Sequence, residues 1–225
     1  MALVGRRTET LEQVADEIAA DGAAGAFAAP ADLADSAAPA ALVETVVART
    51  GRLDIVVNNA AVLRLALVEE ATSAEFDEHV AVNLRAPYFL VQAALPYLKA
   101  SPAPVVVNVS SAAAAMYRPR QSIYGLTKAA LEHLTKNMAA ELAPHRIRVN
   151  AVRPGPVDTP IHRQAAPDGA ARLVELGRLV PPGRVGEPGE IARWVGHLVD
   201  PAASWVTGSV VVVDGGRVLG PPEAI

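Results

Sequence analysis

Short apolar runs of strand length alternate with longer amphipathic segments along the chain. The apolar runs are ALVG, GAFAAPADL, LDIVVNNA, PVVVNVSS, IRVNAVRPG and SVVVVDGG. The segments between them predict helices over 8–20, 37–50, 73–100, 122–143 and 188–199. Strands and helices in strict alternation are typical of a parallel sheet with a helix after each strand. The pattern therefore predicts an α/β fold with a three-layer, doubly wound parallel sheet.

Two of the runs, DIVVNN and PVVVNVSS, are apolar throughout rather than at every second residue. Such strands are expected to be covered by helices on both faces of the sheet.

The stretch 156–187 is rich in Pro, Gly and Arg, and we expect it to form a mobile flap over a site. No repeat, linker or charge block divides the chain, so a single domain is expected over 1–225.

Composition narrows the classes of partner. A formal net charge of −4 and a pI near 5.7 disfavour nucleic acid as a partner. The absence of cysteine excludes thiolate chemistry and suits a reducing cytoplasm. No apolar run approaches the about 20 residues that cross a bilayer, and no pattern indicates a metal site. We therefore expect a cytoplasmic protein that binds neither a membrane nor nucleic acid.

Polar residues follow the predicted strands where those strands end. They are Asp32, Asn58 with Asn59, Ser110 with Ser111, and the segment RPGPVDT. In an open α/β sheet, ligands bind beyond the carboxyl ends of the strands. One cleft at that edge is therefore expected to collect these residues.

The segment SSAAAAMYRPRQSIYGLTK contains the residues that indicate catalysis. Tyr124 and Lys128 are four residues apart, so on a helix they lie on one face. A neighbouring ammonium favours the phenolate and lowers the pKa of the phenol, which makes Tyr124 a candidate general acid and base. Ser111 precedes them at the end of a strand, where its hydroxyl could hydrogen-bond the reacting oxygen.

Six motifs in order resemble one known family. They are NNAA at 58–61, VNL at 82–84, SIYGLTK, RPGPVDT, GRVGEPGEIA and WVTGSVVVVDGG. From residue 2 to about 217 the chain resembles the short-chain dehydrogenase/reductase family, near its acyl-carrier-protein-reductase-like branch. The resemblance implies a Rossmann-like fold and an NAD(P)H-dependent oxidoreductase that transfers hydride between nicotinamide C4 and a carbonyl or alcohol carbon.

The resemblance also assigns roles. Tyr124 would move the proton, Ser111 would orient the carbonyl oxygen, Lys128 would hold the nicotinamide ribose and lower the pKa of Tyr124, and Asn83 would position a water. The cofactor-binding set it implies is Arg6, Arg7, Asp32, Leu33, Asn59, Ala60, Ala61, Tyr124, Lys128, Pro154, Gly155, Val157 and Thr159. Ala61 replaces a family glycine. The guanidinium pair Arg6 and Arg7 suits a 2′-phosphate, which favours NADP(H) over NAD(H).

The family's first strand and Gly-rich phosphate turn have no counterpart before ALVGRR. We therefore expect that the chain is N-terminally truncated relative to the family, and that the true beginning of the protein is missing from this sequence. In a sheet ordered 3-2-1-4-5-6-7 that strand is central, so its loss would separate strands 3 and 2 from strand 4. If the truncation is genuine, the chain works without a nicotinamide as an isomerase, dehydratase or cyclase, or serves as a non-catalytic partner subunit.

The expected substrate is a small carbonyl or alcohol, and the expected assembly is a homodimer or homotetramer. Around the predicted cleft the sequence places Met116, Tyr117, Arg118 and Arg120, and the flap carries His162, Arg163 and Arg172. These side chains suit an anionic or extended polar substrate. An exposed loop with ordinary charges is the alternative interpretation.

Overall fold

A computed structural model describes residues 1–22, 25–165 and 168–220. Its strands are β1 (Ala2–Gly5), β2 (Phe27–Pro30), β3 (Ile55–Asn58), β4 (Val105–Val109), β5 (Arg148–Pro154) and β6 (Val210–Val213). Its α-helices are α1 (Thr8–Ala20), α2 (Ala38–Thr50), α3 (Ser73–Val80), α4 (Ala86–Ala100), α5 (Ser122–Leu142), α6 (Pro160–Gln164), α7 (Gly169–Arg178) and α8 (Pro188–Val199). The fold is the predicted Rossmann-like α/β architecture with parallel strands.

The strands form two parallel sheets. β1 pairs with β2, and β3, β4, β5 and β6 pair in that order. Within the described ranges, no strand pair joins the two-stranded sheet to the four-stranded one. Helices make the connection instead, because α2 packs on α4, and Leu53 and Leu90 contact the core around both sheets.

Alternate residues of β4 face opposite helical layers. Val106 packs into a core formed with α2, α4 and α5, whereas Val105 and Val107 pack against Leu198 of α8. Because successive side chains of a strand point to opposite faces, a run of valines is buried on both sides. The sheet therefore lies between two helical layers, as the apolar run at β4 predicts.

The prediction that β3 is covered on both faces is wrong. Its burial alternates, and Ile55 and Val57 are 44% and 41% exposed. β3 is an edge strand of the four-stranded sheet, and only its inward-facing Val56 reaches the core under α4. An apolar sequence cannot by itself show whether a second layer lies over it.

The predicted helix 73–100 contains an interruption. α3 begins with a capping box between Thr72 and Glu75, continues through a π-helical turn at Ala81–Arg85, and resumes as α4. A π-turn inserts one extra residue into a helix and often marks a functional site. Here the insertion includes Asn83.

The expected flap 156–187 is more regular than its composition predicts. It contains α6 and α7, and α7 buries Leu173 and Leu176. Gly169 lets α7 approach the backbone of Arg163 closely.

None of the described helices has the length and apolar character needed to cross a membrane.

Candidate active site

Tyr124 and Lys128 lie one turn apart on the buried face of α5, as their spacing predicts. Their exposed fractions are 8% and 2%. The ammonium Nζ of Lys128 donates a hydrogen bond of 2.7 Å to the carbonyl oxygen of Val109, at the end of β4. It lies 5.8 Å from the centre of the Tyr124 ring. Ser111 follows β4, and its hydroxyl lies near the Tyr124 phenol.

The proton affinities of this pair are set mainly by burial. Burial raises the pKa of Tyr124 to about 12, and the hydrogen bond with Ser111 opposes the rise. Burial lowers the pKa of Lys128 to about 8. The prediction that Lys128 lowers the pKa of Tyr124 is wrong for this structure, because Lys128 points its ammonium at the Val109 carbonyl while desolvation penalises the phenolate.

Asn83 is fully buried in the π-turn, and its amide is occupied by protein partners. Its Oδ1 accepts from Val62 N at 2.8 Å, and its Nδ2 donates to Val62 O at 3.0 Å and Thr127 Oγ1 at 3.2 Å. These bonds join the turn after β3 to α5. The contacts of Asn83 therefore hold the segment beside Tyr124 in place.

Sequence reasoning missed His79, which is fully buried and meets the Tyr124 ring edge-on at a centroid distance of 6.5 Å. Its Nδ1 lies 2.7 Å from Glu75 O, and its Nε2 lies 3.1 Å from Arg64 N, which can only donate. The Nε2 atom must therefore accept, and Nδ1 must carry the proton, so the ring is neutral. The signal for His79 in the sequence was its position four residues before Asn83, a predicted site residue.

A buried polar network braces the strand ends. Ser110 Oγ donates to Glu132 Oε1 at 2.7 Å, and Arg153 Nε donates to the same oxygen at 2.7 Å. Asn58 Nδ2 donates to Asn108 Oδ1 at 2.8 Å, and Asn108 Nδ2 donates to Thr135 Oγ1 at 2.9 Å. These bonds tie α5 to β3, β4 and β5, and thereby fix Tyr124 relative to Ser111.

The turn after β5 packs closely against the end of β6. Gly155 lies against the backbone of Asp214, where an added Cβ would stand 2.6 Å from the carbonyl oxygen. Val157 is buried and bridges to Gly186, and Thr159 Oγ1 donates to Val157 O at 3.3 Å. Pro154 ends β5. These contacts hold the predicted cofactor residues Pro154, Gly155, Val157 and Thr159 in one tight turn.

The remaining predicted cofactor residues lie at the ends of β1, β2 and β3. Arg6 and Arg7 are exposed between β1 and α1. Asp32 accepts a turn hydrogen bond of 3.0 Å from Ala34 N, and Leu33 packs against the core near β2. After β3, Asn59 and Ala60 are exposed and Ala61 is half-buried.

These residues suit the two ends of a nicotinamide dinucleotide, which are the nicotinamide riboside and the adenosine. The tight Gly155 turn and the Lys128 ammonium suit a nicotinamide riboside, and the exposed strand ends suit an adenosine. No Gly-rich turn connects a strand to a helix N-terminus within 1–22, 25–165 or 168–220 to hold the pyrophosphate. Over the same ranges, no group of three His, Asp or Glu side chains is arranged to hold a metal ion.

A family profile described as enoyl-(acyl carrier protein) reductase matches residues 1–217. The chain belongs to the short-chain dehydrogenase/reductase family. Members of this oxidoreductase family are enzymes, and several are similar to this chain over most of its length. The predicted truncation at the N-terminus stays a prediction.

Three relatives illustrate the likeness. A tropinone reductase homologue of Arabidopsis thaliana is 43% identical over 166 residues, which are 74% of this chain and 54% of that protein. The 3-oxoacyl-[acyl-carrier-protein] reductase FabG of Thermotoga maritima is 39% identical over 178 residues, which are 79% of this chain and 71% of FabG. A gluconate 5-dehydrogenase of Burkholderia cenocepacia, solved with NADP and tartrate, is 30% identical with a TM-score of 0.87, over 97% of this chain and 85% of that one.

Proposed function

We propose that this short-chain dehydrogenase/reductase interconverts a small carbonyl compound and a secondary alcohol with NADP(H). The proposal rests above all on the buried Tyr124 phenol, which has Ser111 on one side and the Lys128 ammonium one helical turn away. Such a phenol is a proton donor held in place at the carboxyl edge of the sheet. Asn83, Ser111, Tyr124 and Lys128 form the proposed site.

Each residue has a defined part in carbonyl reduction. A bound nicotinamide supplies the hydride. With a pKa of about 12, Tyr124 stays protonated at neutral pH and can donate its proton to the carbonyl oxygen. The Ser111 hydroxyl orients that oxygen, and the Lys128 ammonium holds the nicotinamide ribose. Asn83 is a positioning residue, because its amide bonds Val62 and Thr127.

The proposed cofactor site extends along the strand ends. Arg6 and Arg7 receive a 2′-phosphate, because exposed guanidinium groups bind phosphate oxygens in pairs. The gluconate 5-dehydrogenase that the chain resembles was solved with NADP. The other proposed contacts are Asp32, Leu33, Asn59, Ala60, Ala61, Tyr124, Lys128, Pro154, Gly155, Val157 and Thr159.

Fluorescence titration with NADPH and NADH, followed by NADPH oxidation with a panel of ketones, tests the proposal. We expect Tyr124→Phe to lower kcat by about 10²-fold or more while NADPH still binds. Tyr88→Phe, at a tyrosine on α4 that is 43% exposed, is the matched control. The double variant Arg6→Gln/Arg7→Gln should weaken NADPH binding and leave NADH binding unchanged. A folded chain that binds neither nucleotide would refute the proposal.

We further infer that one domain over 1–225 assembles as a homodimer or homotetramer in the cytoplasm. Exposed apolar side chains on α4 and α5 support the assembly, since Tyr88, Phe89 and Leu126 are 43%, 44% and 54% exposed. The lack of cysteine supports the compartment. Light scattering of the purified protein measures the mass, and a monomer would contradict the assembly.

A further inference from the structure

Three arginines and one histidine interact at the carboxyl edge of the sheet. They are Arg118 in the loop between Ser111 and α5, His162 on α6, Arg172 on α7, and Arg217 in the turn after β6. We call these four residues the arginine cluster. Each comes from a segment that follows the carboxyl end of β4, β5 or β6, which is the edge of the sheet that holds Ser111 and Tyr124.

The arginine cluster is built by tertiary packing. The turn after β6 lies against the segment that follows α7, because a Cβ added at Gly215 or Gly216 would stand 2.7 Å from Val180 or 3.1 Å from Pro181. The carboxylate of Asp214 accepts the backbone N–H groups of Gly216 and Val218 at 2.8 and 3.0 Å. These contacts fix the turn that carries Arg217.

Several polar atoms of the arginine cluster are buried without a hydrogen-bond partner in the described part of the chain. They are Arg172 Nε, Arg217 Nε and His162 Nδ1. Arg217 is only 8% exposed. Buried donors in folded proteins are nearly always paired, and an unpaired N–H of a charged group is especially unfavourable. Three such atoms in one cluster therefore indicate that a ligand completes their hydrogen bonds.

The electrostatics of the cluster favour an anion. Burial and the charges of Arg217 and Arg172 lower the pKa of Arg118 to about 10, so it remains charged at neutral pH. Burial and the charges of Arg172 and Arg118 lower the pKa of His162 to about 4, against the opposing charge of Asp158. The charges of Arg118 and Arg172 thus act on a neutral imidazole, and the charge of Arg217 acts on Arg118.

The neighbouring acidic and basic residues do not neutralise these charges. Asp158 is held by Arg163 through hydrogen bonds of 3.0, 2.6 and 2.7 Å. Arg120 pairs instead with Glu70 at 3.0 Å. Among the ion pairs formed within the described ranges, none includes Arg118, Arg172 or Arg217.

We propose that the arginine cluster binds an oxyanion group of the substrate, a carboxylate or a phosphate, and holds the carbonyl carbon toward Ser111 and Tyr124. This inference rests on the proposed function, which it deepens by naming the substrate class. Guanidinium groups bind carboxylate and phosphate oxygens in bidentate pairs, so three of them can saturate one such group. His162 supplies a neutral hydrogen-bonding atom at its side.

Anion binding is measured first, because it needs no turnover. Citrate and inorganic phosphate are added in separate titrations at constant ionic strength, and binding is followed by calorimetry and by the rise in Tm. We expect Arg217→Met and Arg172→Met to weaken binding by roughly tenfold or more, since each loses a charged hydrogen bond. Arg178→Met, at an exposed arginine on the same helix as Arg172, should bind like the wild type.

The Tm measured without added anion shows whether Arg217 serves ligand binding or the stability of the fold. Removing an unpaired buried charge should leave the Tm of Arg217→Met equal to or above that of the wild type. An arginine that serves the fold would give a lower Tm. The relative preference of the anions then identifies the class, carboxylate or phosphate.

Turnover provides the second measurement. With NADPH, kcat/KM for acetoacetate should exceed that for its ethyl ester, and Arg217→Met should reduce this ratio. If no ketone is reduced but anion binding still depends on Arg217, the proposed function fails and the anion site stands. The anion site is overturned if the wild type binds neither anion, or if folded Arg217→Met binds them as the wild type does.

Discussion

At the scale of single residues, burial favours the neutral forms of both Tyr124 and Lys128. Tyr124 gains proton affinity and Lys128 loses it, because low dielectric surroundings disfavour both the phenolate and the ammonium. A reductase needs a protonated phenol and a nearby positive charge. Both are present together only below the pKa of Lys128.

This predicts a falling pH profile for ketone reduction. The pKa of Lys128 is lowered from 10.5 to about 8, so its charge is complete well below pH 8 and is lost as the pH rises through that value. Tyr124 remains protonated throughout, since its pKa is about 12. We therefore expect kcat/KM with NADPH to fall with a midpoint near pH 8.

Lys128→Arg supplies the check on this assignment, because a guanidinium keeps its charge up to about pH 12. Its absolute rate is expected to be lower, since its longer side chain disturbs the bond to Val109, but its falling limb should move to higher pH. An unchanged midpoint in Lys128→Arg would assign the titration to another group.

The same shift affects stability with a defined sign. Between about pH 8 and 10.5 the unfolded chain binds a proton at Lys128 that the folded chain does not. The contribution of Lys128 to the free energy of unfolding therefore rises with pH over this window, and the full cost of its buried charge applies below it.

At the scale of secondary structure, local signals predict helix ends well where a capping pattern is present. Pro188 and the reciprocal bonds between Glu187 and Glu190 begin α8 at the predicted residue. The π-turn at Ala81–Arg85 and the helices α6 and α7 were not predicted. Their causes are tertiary, because Asn83 bonds the turn after β3 and Leu173 packs into a core that local composition does not reveal.

The turn after β5 is expected to tolerate no side chain at Gly155. In Gly155→Ala the Cβ would lie 2.6 Å from the Asp214 carbonyl oxygen and 2.8 Å from its Cα, which are backbone atoms that cannot rotate away. The turn must separate from the end of β6, at a cost of about 1–3 kcal/mol in the free energy of unfolding. Denaturant unfolding and NADPH titration should both report a loss.

Gly196→Ala is the matched control. Gly196 is exposed within α8, and an added Cβ there meets no atom within 4 Å. Because alanine is the better helix former, this variant should be about 0.5–1 kcal/mol more stable than the wild type. If Gly155→Ala were as stable as the wild type and bound NADPH equally well, the close packing of the two turns would be disproved.

At the scale of the whole molecule, the sequence predicted Ser111, Tyr124 and Lys128 because their spacing and motifs are local. It also placed Arg118 and Arg172 near the cleft. It could not place Arg217 with them, because its proximity to Arg118 depends on how the turn after β6 packs on the segment after α7. The division of the described strands into two sheets agrees with the expectation that strands 3 and 2 separate from strand 4, an expectation that came from the family resemblance and not from the apolar pattern.

This division predicts two levels of local stability. The β1 and β2 pair is a two-stranded sheet, which is marginal alone, and α1 buries none of its residues. It is attached through a small cluster that includes Phe27, Leu42 and Val46. β4 and β5, in contrast, are paired on both sides and buried under both helical layers.

Hydrogen exchange followed by mass spectrometry measures this difference. Amides of β1, α1 and β2 should exchange through local opening, at a free energy well below that of global unfolding, whereas amides of β4 and β5 should exchange only with global unfolding. In a denaturant series the first group should therefore respond weakly to denaturant and the second strongly. Equal protection and equal denaturant dependence for Ala2–Gly5 and Val105–Val109 would show that the two sheets unfold as one cooperative unit, with the helical contacts between α2 and α4 sufficient to couple them.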